Sequence, residues 1–434
     1  MKHTVTEVQF KNGLRGLLID VPDADVMYTE VNFRAGEYLL QKEKWETAHL
    51  MEHVLLGANR RYPKARDFQA EIEKNGAYCN ASTGVYDITY ESECADFEWE
   101  RVLELLLVAI AEPLFLQEEF DSEAGNVREE LVGRSNNHFR HLNISLRENM
   151  GMVAMTDQKR LDYMKEVSLH DVSKHYKSTH NLANARFILS GKLSGRVKLI
   201  EEMFSKFLAL PKGESRKMLP TESPKRLKSP LLIRRSHVPN MYFYIDTYAK
   251  QVVDGKNRDA LLVASTLLTE TLYSRIFGLA REKGLVYAMG SGQTPQTNVH
   301  SWWLGAQVSL TNAPALFRLI RDELKAVKEG GLNKFEIEAA EQYLIGKYQR
   351  SGQTVSGIVA GYSPAYYLEE QIEDFTRFAE RMQAVTPDDV TIVFNRMFSD
   401  NTWGLAALGN AKLQFIRELA ATLEELWPAK TRRR

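Results

Sequence analysis

The chain has 434 residues, of which 44% are hydrophobic and 26% charged, and its formal net charge is −1. That length calls for two or more hydrophobic cores. Balanced charge leaves no electrostatic footprint for nucleic acid or an anionic membrane, and no window supplies the roughly 18 uninterrupted apolar residues of a transmembrane helix.

Met1 to Asp20 lacks the apolar stretch of a secretory signal and is not an Arg-rich, acid-poor transit sequence, so a cytoplasmic location is expected. Strands are predicted over Val5 to Phe10, Gly16 to Val21 and Val26 to Phe33, the first two joined through the turn signal Asn12-Gly13. A helix carrying His49-Leu50-Met51-Glu52-His53 follows. This is the H-x-x-E-H spacing in which inverted zinc peptidases hold a catalytic zinc. On a helix, residues at i, i+3 and i+4 share a face, so His49 and His53 can grip one ion while Glu52 stands beside it. A pattern of five residues needs structural context, and a lone histidine on a helix is more often a surface or satisfied core residue.

An alternating run is predicted from Tyr78 to Glu91, then helices from about Phe97 to Ile110 and from Leu116 to Ser135. Cys79 and Cys94 are the only cysteines, which fits reduced thiols. A catalytic zinc normally has three protein ligands and one open position. The last of those helices offers Glu118, Glu119, Asp121, Glu123, Glu129 and Glu130, each of which alone reads as a solvated face residue.

Residues 211–229, with Pro211-Lys-Gly-Glu-Ser and Pro220-Thr-Glu-Ser-Pro-Lys, form a polar linker between a domain over 1–210 and a second over 230–434. The order of elements then recurs, with strands around Leu231 to Arg235 and Met241 to Thr247 and a helix from Arg258 to Ala280. A strand around Trp302 to Ser309 and helices from Ala313 to Lys328 and Lys334 to Gln349 complete it. Val167-Ser168-Leu169-His170-Asp171-Val172 matches Val385-Thr386-Pro387-Asp388-Asp389-Val390, each with a hydroxyl N-cap and an acid three residues on. Gly191 and Gly409 each follow the opening valine by 24 residues. The expected fold class is α+β, two homologous domains that each pack a mostly antiparallel sheet against helices.

Taken together, His49-x-x-Glu52-His53, Tyr62-Pro63, Asn80-Ala81-Ser82-Thr83, Glu123 and Val127-x-x-Glu130-Leu131 closely resemble the pitrilysin/insulinase family, in particular its half-length bacterial members related to the mitochondrial processing peptidases. The resemblance implies that Glu130 is the third ligand of one zinc ion per chain and that Glu52 is the general base. It makes Glu123 a supporting group; seven residues before Glu130, it lies on the same helix face. It also implies that Asn80 and Ala81 hold substrate backbone. A strand edge binds extended peptide through main-chain hydrogen bonds, although a small residue in a strand serves packing equally well.

In the second half Phe335-Glu336-Ile337-Glu338 aligns with Phe120-Asp121-Ser122-Glu123, which puts Ile345 where Glu130 stands, and no H-x-x-E-H precedes it. That half cannot bind zinc in this way. Its segment Ser274-Arg275-Ile276-Phe277, then Arg281 to Tyr287, resembles the family's arginine and tyrosine that contact the substrate carbonyl, with the step between them one residue shorter than usual. Donors of that kind stabilise an oxyanion. For Arg281 the other reading is a cation favoured by a helix C-terminus. The resemblance implies a zinc endopeptidase acting on peptides or unfolded polypeptides inside a homodimeric chamber. A processing peptidase that needs a separate partner subunit and a non-catalytic scaffold are the competing expectations.

Overall fold

The computed structural model describes residues 1–216, 220–250, 253, 255–295 and 298–428. The first compact unit comprises Met1–Gly133, Gln158–Leu219 and Gln349–Phe375. Its six strands are β1 (Thr4–Gln9), β2 (Arg15–Asp20), β3 (Val26–Phe33), β4 (Tyr78–Thr83), β5 (Ile88–Ala95) and β6 (Ala185–Gly191). They lie in the order β1-β2-β6-β3-β5-β4, antiparallel except for the β2/β6 pair. The alternating run expected from Tyr78 to Glu91 is a hairpin instead: the Gly84 N–H donates to the Asp87 carbonyl and turns the chain between β4 and β5. One face of this sheet carries the core that includes Phe33, Leu50, Val54, Tyr90, Leu106, Val127 and Phe187.

The opposite face, with Leu17, Ile19 and Ile188, is covered by Ile358, Val359, Tyr362 and Tyr366. These come from the helix Val355–Glu369, far along the chain, so the compact units do not follow the linear segments 1–210 and 230–434. An apolar sheet face must be buried, and which helix buries it is decided by packing rather than by order in the chain.

The second unit comprises Arg134–Asp157, Pro220–Tyr348 and Thr376–Arg434. Its strands are β7 (Leu231–Arg234), β8 (Met241–Ala249), β9 (Met289–Pro295), β10 (His300–Val308) and β11 (Trp403–Gly409), ordered β7-β11-β8-β10-β9 with only β7/β11 parallel. Here the helix His138–Asn149, from the first half of the chain, supplies Leu142 and Leu146 against Tyr244, Tyr248 and Ala406. Both sheets thus match the expected α+β class, mixed by a single parallel pair each.

The repeat is visible in detail. Ser168 and Thr386 each form the full reciprocal cap with Asp171 and Asp389, and Gly191 and Gly409 end β6 and β11 at φ of 151° and 150°. The helix expected over Arg258 to Ala280 is broken. It runs over Gly255–Ser265, widens to a π-turn over Thr266–Glu270 and resumes only at Phe277–Glu282. Ser274 Oγ accepts from the Thr271 N–H and donates to the Thr266 carbonyl, an alternative to the helical ladder. Of the proline-punctuated stretch, residues 217–219 lie outside the described residues. The part before them is pinned, the N–H groups of Leu182 and Ala183 donating to the carbonyls of Pro211 and Lys212.

Candidate metal centre

The helix Thr47–Leu55 buries Leu50, Met51, Val54 and Leu55 in the first core, which turns His49, Glu52 and His53 along its other side. The helix Gln117–Arg134 buries only Phe120, Val127 and Leu131, and the register those three set carries Glu123 and Glu130 to the histidines. The Glu130 carboxylate lies 3.1 Å from His49 Nε2 and 3.6 Å from His53 Nε2. One donor atom from each of the three residues falls within 4.8 Å of the others. A tetrahedral zinc with bonds of about 2.0–2.1 Å keeps its ligand atoms about 3.3 Å apart, so this donor set fits such an ion.

Both imidazoles are held from behind. His49 Nδ1 lies 3.0 Å from Glu46 Oε2, and His53 Nδ1 lies 2.9 Å from Glu123 Oε2. A carboxylate on Nδ1 fixes the ring and leaves Nε2 for a metal. Glu46 is fully buried and is itself held by Arg160, whose guanidinium also reaches Glu37 at 2.8 Å. Burial opposes ionisation of Glu46, but the His49 hydrogen bond and Arg160 outweigh it and hold the carboxyl below its ordinary range. Glu37, also buried, is pushed up to about 7 by desolvation that Arg160 only partly offsets. Burial likewise disfavours a charged His49, yet hydrogen bonds to Glu130 and Glu46 raise it to about 9. His53 chiefly draws the Glu123 carboxyl down.

Glu52 accepts a 2.6 Å hydrogen bond from Thr83 Oγ1 on β4. That strand pairs only with β5, so its other edge is free of sheet partners among the described residues. Asn80 is exposed on it, whereas Ala81 points into the core. Arg281 and Tyr287 belong to the second unit. Arg281 lies in the last turn of the short helix Phe277–Glu282, its Nη1 donates to the Tyr287 carbonyl at 2.6 Å, and its guanidinium lies 4.8 Å from the ring centroid of Tyr287, a residue 83% exposed. In the matching helix Lys334–Ser351 of the second unit Ile345 is buried. Sequence reasoning missed Glu46, Glu37, Arg160 and, as a partner of Glu52, Thr83. Only Glu46 carried a local signal, one helical turn before His49.

Two repeated helix–sheet units, one of them bearing an H-x-x-E-H helix with a distal glutamate, define the class of inverted-motif zinc peptidase folds. The model described as "Insulinase (Peptidase family M16)" matches residues 18–159, and that described as "Peptidase M16 inactive domain" matches residues 166–344. The chain belongs to this pitrilysin/insulinase family.

An uncharacterized zinc protease of Rickettsia felis is 22% identical over 420 residues, 93% of this chain and 97% of the relative. Protease 3 of Escherichia coli is 26% identical over 125 residues, which are 29% of this chain and only 13% of that protein. The crystal structure of a protease from Helicobacter pylori superposes with a TM-score of 0.82 at 20% identity, covering 94% of this chain and all of that one. A Pseudomonas fluorescens structure described as a peptidase M16 inactive domain gives 0.81 at 16% identity, covering 94% and 98%. No helix among the described residues is long and apolar enough to cross a membrane.

Proposed function

We propose that the chain is a zinc-dependent endopeptidase that hydrolyses peptides or unfolded polypeptides. The observation that carries this reading is the convergence of His49, His53 and Glu130 from two helices, with a carboxylate behind each imidazole. A zinc ion held there would lower the pKa of a water and polarise a scissile carbonyl. Glu52 takes a proton from the attacking water and delivers it to the leaving amine. Thr83 steadies that carboxylate by donating to one oxygen, which leaves the other for the proton.

Substrate backbone adds to the free edge of β4, where Asn80 is exposed and the strand ends at Thr83, the hydrogen-bond donor to Glu52. Tyr287 serves as a donor to the carbonyl oxygen, Arg281 contacts the substrate beside it, and the working assembly is a homodimer. Both points rest on the family resemblance of residues 274–287, and a closed two-fold pair is the commonest oligomer of soluble proteins. Glu52→Gln tests the reading: zinc stays bound by metal analysis while cleavage of a quenched peptide is lost. Wild-type turnover by that variant refutes the assigned base. Activity that appears only after another protein is added refutes the homodimer.

A further inference from the structure

The second unit contains a cleft of about 940 Å³ that the proposed chemistry does not use as a whole. Partly buried Trp303 on β10 stacks on buried Tyr244 of β8, on the sheet face that the helix His138–Asn149 packs against, with ring centroids 5.3 Å apart and an interplanar angle of 17°. Glycines make this platform possible. Gly292 lies opposite Trp303 on β9, and a Cβ there would come within 3.0 Å of the indole; one on Gly305 would meet the Phe139 ring at 3.3 Å. Phe139, Arg140 and Asn143 at the start of the helix His138–Asn149 form one wall, and the loop Gly284 to Ala288 forms another. β9 is the outermost strand of its sheet.

Charge selects the occupant. In a chain with 57 acidic residues, the lining among the described residues includes Arg140 and Arg281 and not one carboxylate. Arg140 is paired with the nearly buried Asp157, whereas Arg281 contacts only the carbonyl and ring of Tyr287 among the described interactions. A flat aromatic floor takes another ring by offset stacking, and a guanidinium without a carboxylate partner favours an anion and repels a cation.

We propose that this cleft binds polypeptide substrate through an aromatic side chain laid on Trp303 with an acidic neighbour at Arg281. The inference rests on the peptidase reading and adds to it a substrate class, segments in which an aromatic residue adjoins an acid. The outer edge of β9 and the side-chain amides of Asn143, Asn240 and Gln307 serve the peptide backbone.

The test uses the full-length Glu52→Gln chain, which binds without cleaving, and labelled peptides of one polar carrier sequence bearing Phe-Asp, Ala-Asp or Phe-Lys, followed by fluorescence anisotropy. Phe-Asp is expected to bind about tenfold tighter than either of the others. Trp303→Ala removes the preference for Phe. Gln307→Glu, at an exposed position where the fold tolerates change, weakens Phe-Asp several-fold at low salt and little at high salt. Equal binding of the three peptides, a ranking untouched by both variants, or equally tight capture of free 3-phenylpropionate overturns the proposal. Preference without hydrolysis by the wild-type chain sinks the peptidase reading alone; hydrolysis without preference sinks this inference alone.

Discussion

Replacing Glu46 with Gln tests whether the buried network behind His49 governs metal binding. The glutamine keeps the shape of the side chain but has one acceptor, where the carboxylate meets His49 Nδ1 with one oxygen and Arg160 with the other. An amide NH₂ then faces a donor on one side. Arg160, whose side chain is 7% exposed, is left with Glu37 as its remaining carboxylate partner among these three. Breaking a buried charge pair by removing one partner costs about 3–5 kcal/mol, and the amide that remains puts the loss toward the lower end. Loss of a carboxylate that orients a ligating histidine lowers metal affinity about 10–100-fold. Zinc affinity by competition with a chromophoric chelator, with thermal denaturation of the metal-free chain, reads both quantities. Unchanged affinity and an unchanged melting temperature would show that the Glu46, Arg160 and Glu37 network neither orients His49 nor supports the fold.

The other perturbations probe separate links. Glu123→Gln is expected to loosen zinc less than Glu46→Gln does, because the Glu123 side chain is 30% exposed and water can replace the lost acceptor; the same chelator competition ranks the two. Asp246 is wholly buried, and desolvation pushes it up to about 7 despite nearby Arg147 and the 2.7 Å hydrogen bond from Tyr248. The native state therefore holds this proton more tightly than the unfolded chain, so its contribution favours folding at low pH and is lost as the pH rises from about 4 to about 7. Asp246→Asn should raise the melting temperature at about pH 8 and change it little at about pH 4; a variant that melts lower at both is the contrary result. Ile358→Ala, in the helix Val355–Glu369 against Leu17, Ile19 and Ile188, should cost about 2–5 kcal/mol in denaturant unfolding. A cost below about 0.5 kcal/mol would mean that this helix does not cap the first sheet.

Local chemistry is what the sequence by itself determined. Helical spacing alone places His49, Glu52 and His53 on one face, because the backbone period is fixed before any tertiary contact forms. Hydroxyl caps at Ser168 and Thr386 mark helix starts for the same reason, since they answer backbone groups within one turn. The repeat was legible in those caps and in Gly191 and Gly409. Family resemblance, rather than periodicity, singled out Glu130 from six acids on one helix.

Tertiary structure decided the rest. Glu37 and Glu46 come from one segment of the first unit and Arg160 from another, and nothing local to any of them announces the others. The run from Tyr78 looked like one strand because alternation continues on both sides of the turn, and the long helix expected after Arg258 looked unbroken because Ser274 competes with the ladder by a hydrogen bond that periodicity does not record. Most telling are the helices His138–Asn149 and Val355–Glu369, each packed on the sheet assembled from the other half of the chain. An apolar stripe specifies that a helix face must be covered, and only the assembled sheets specify by what.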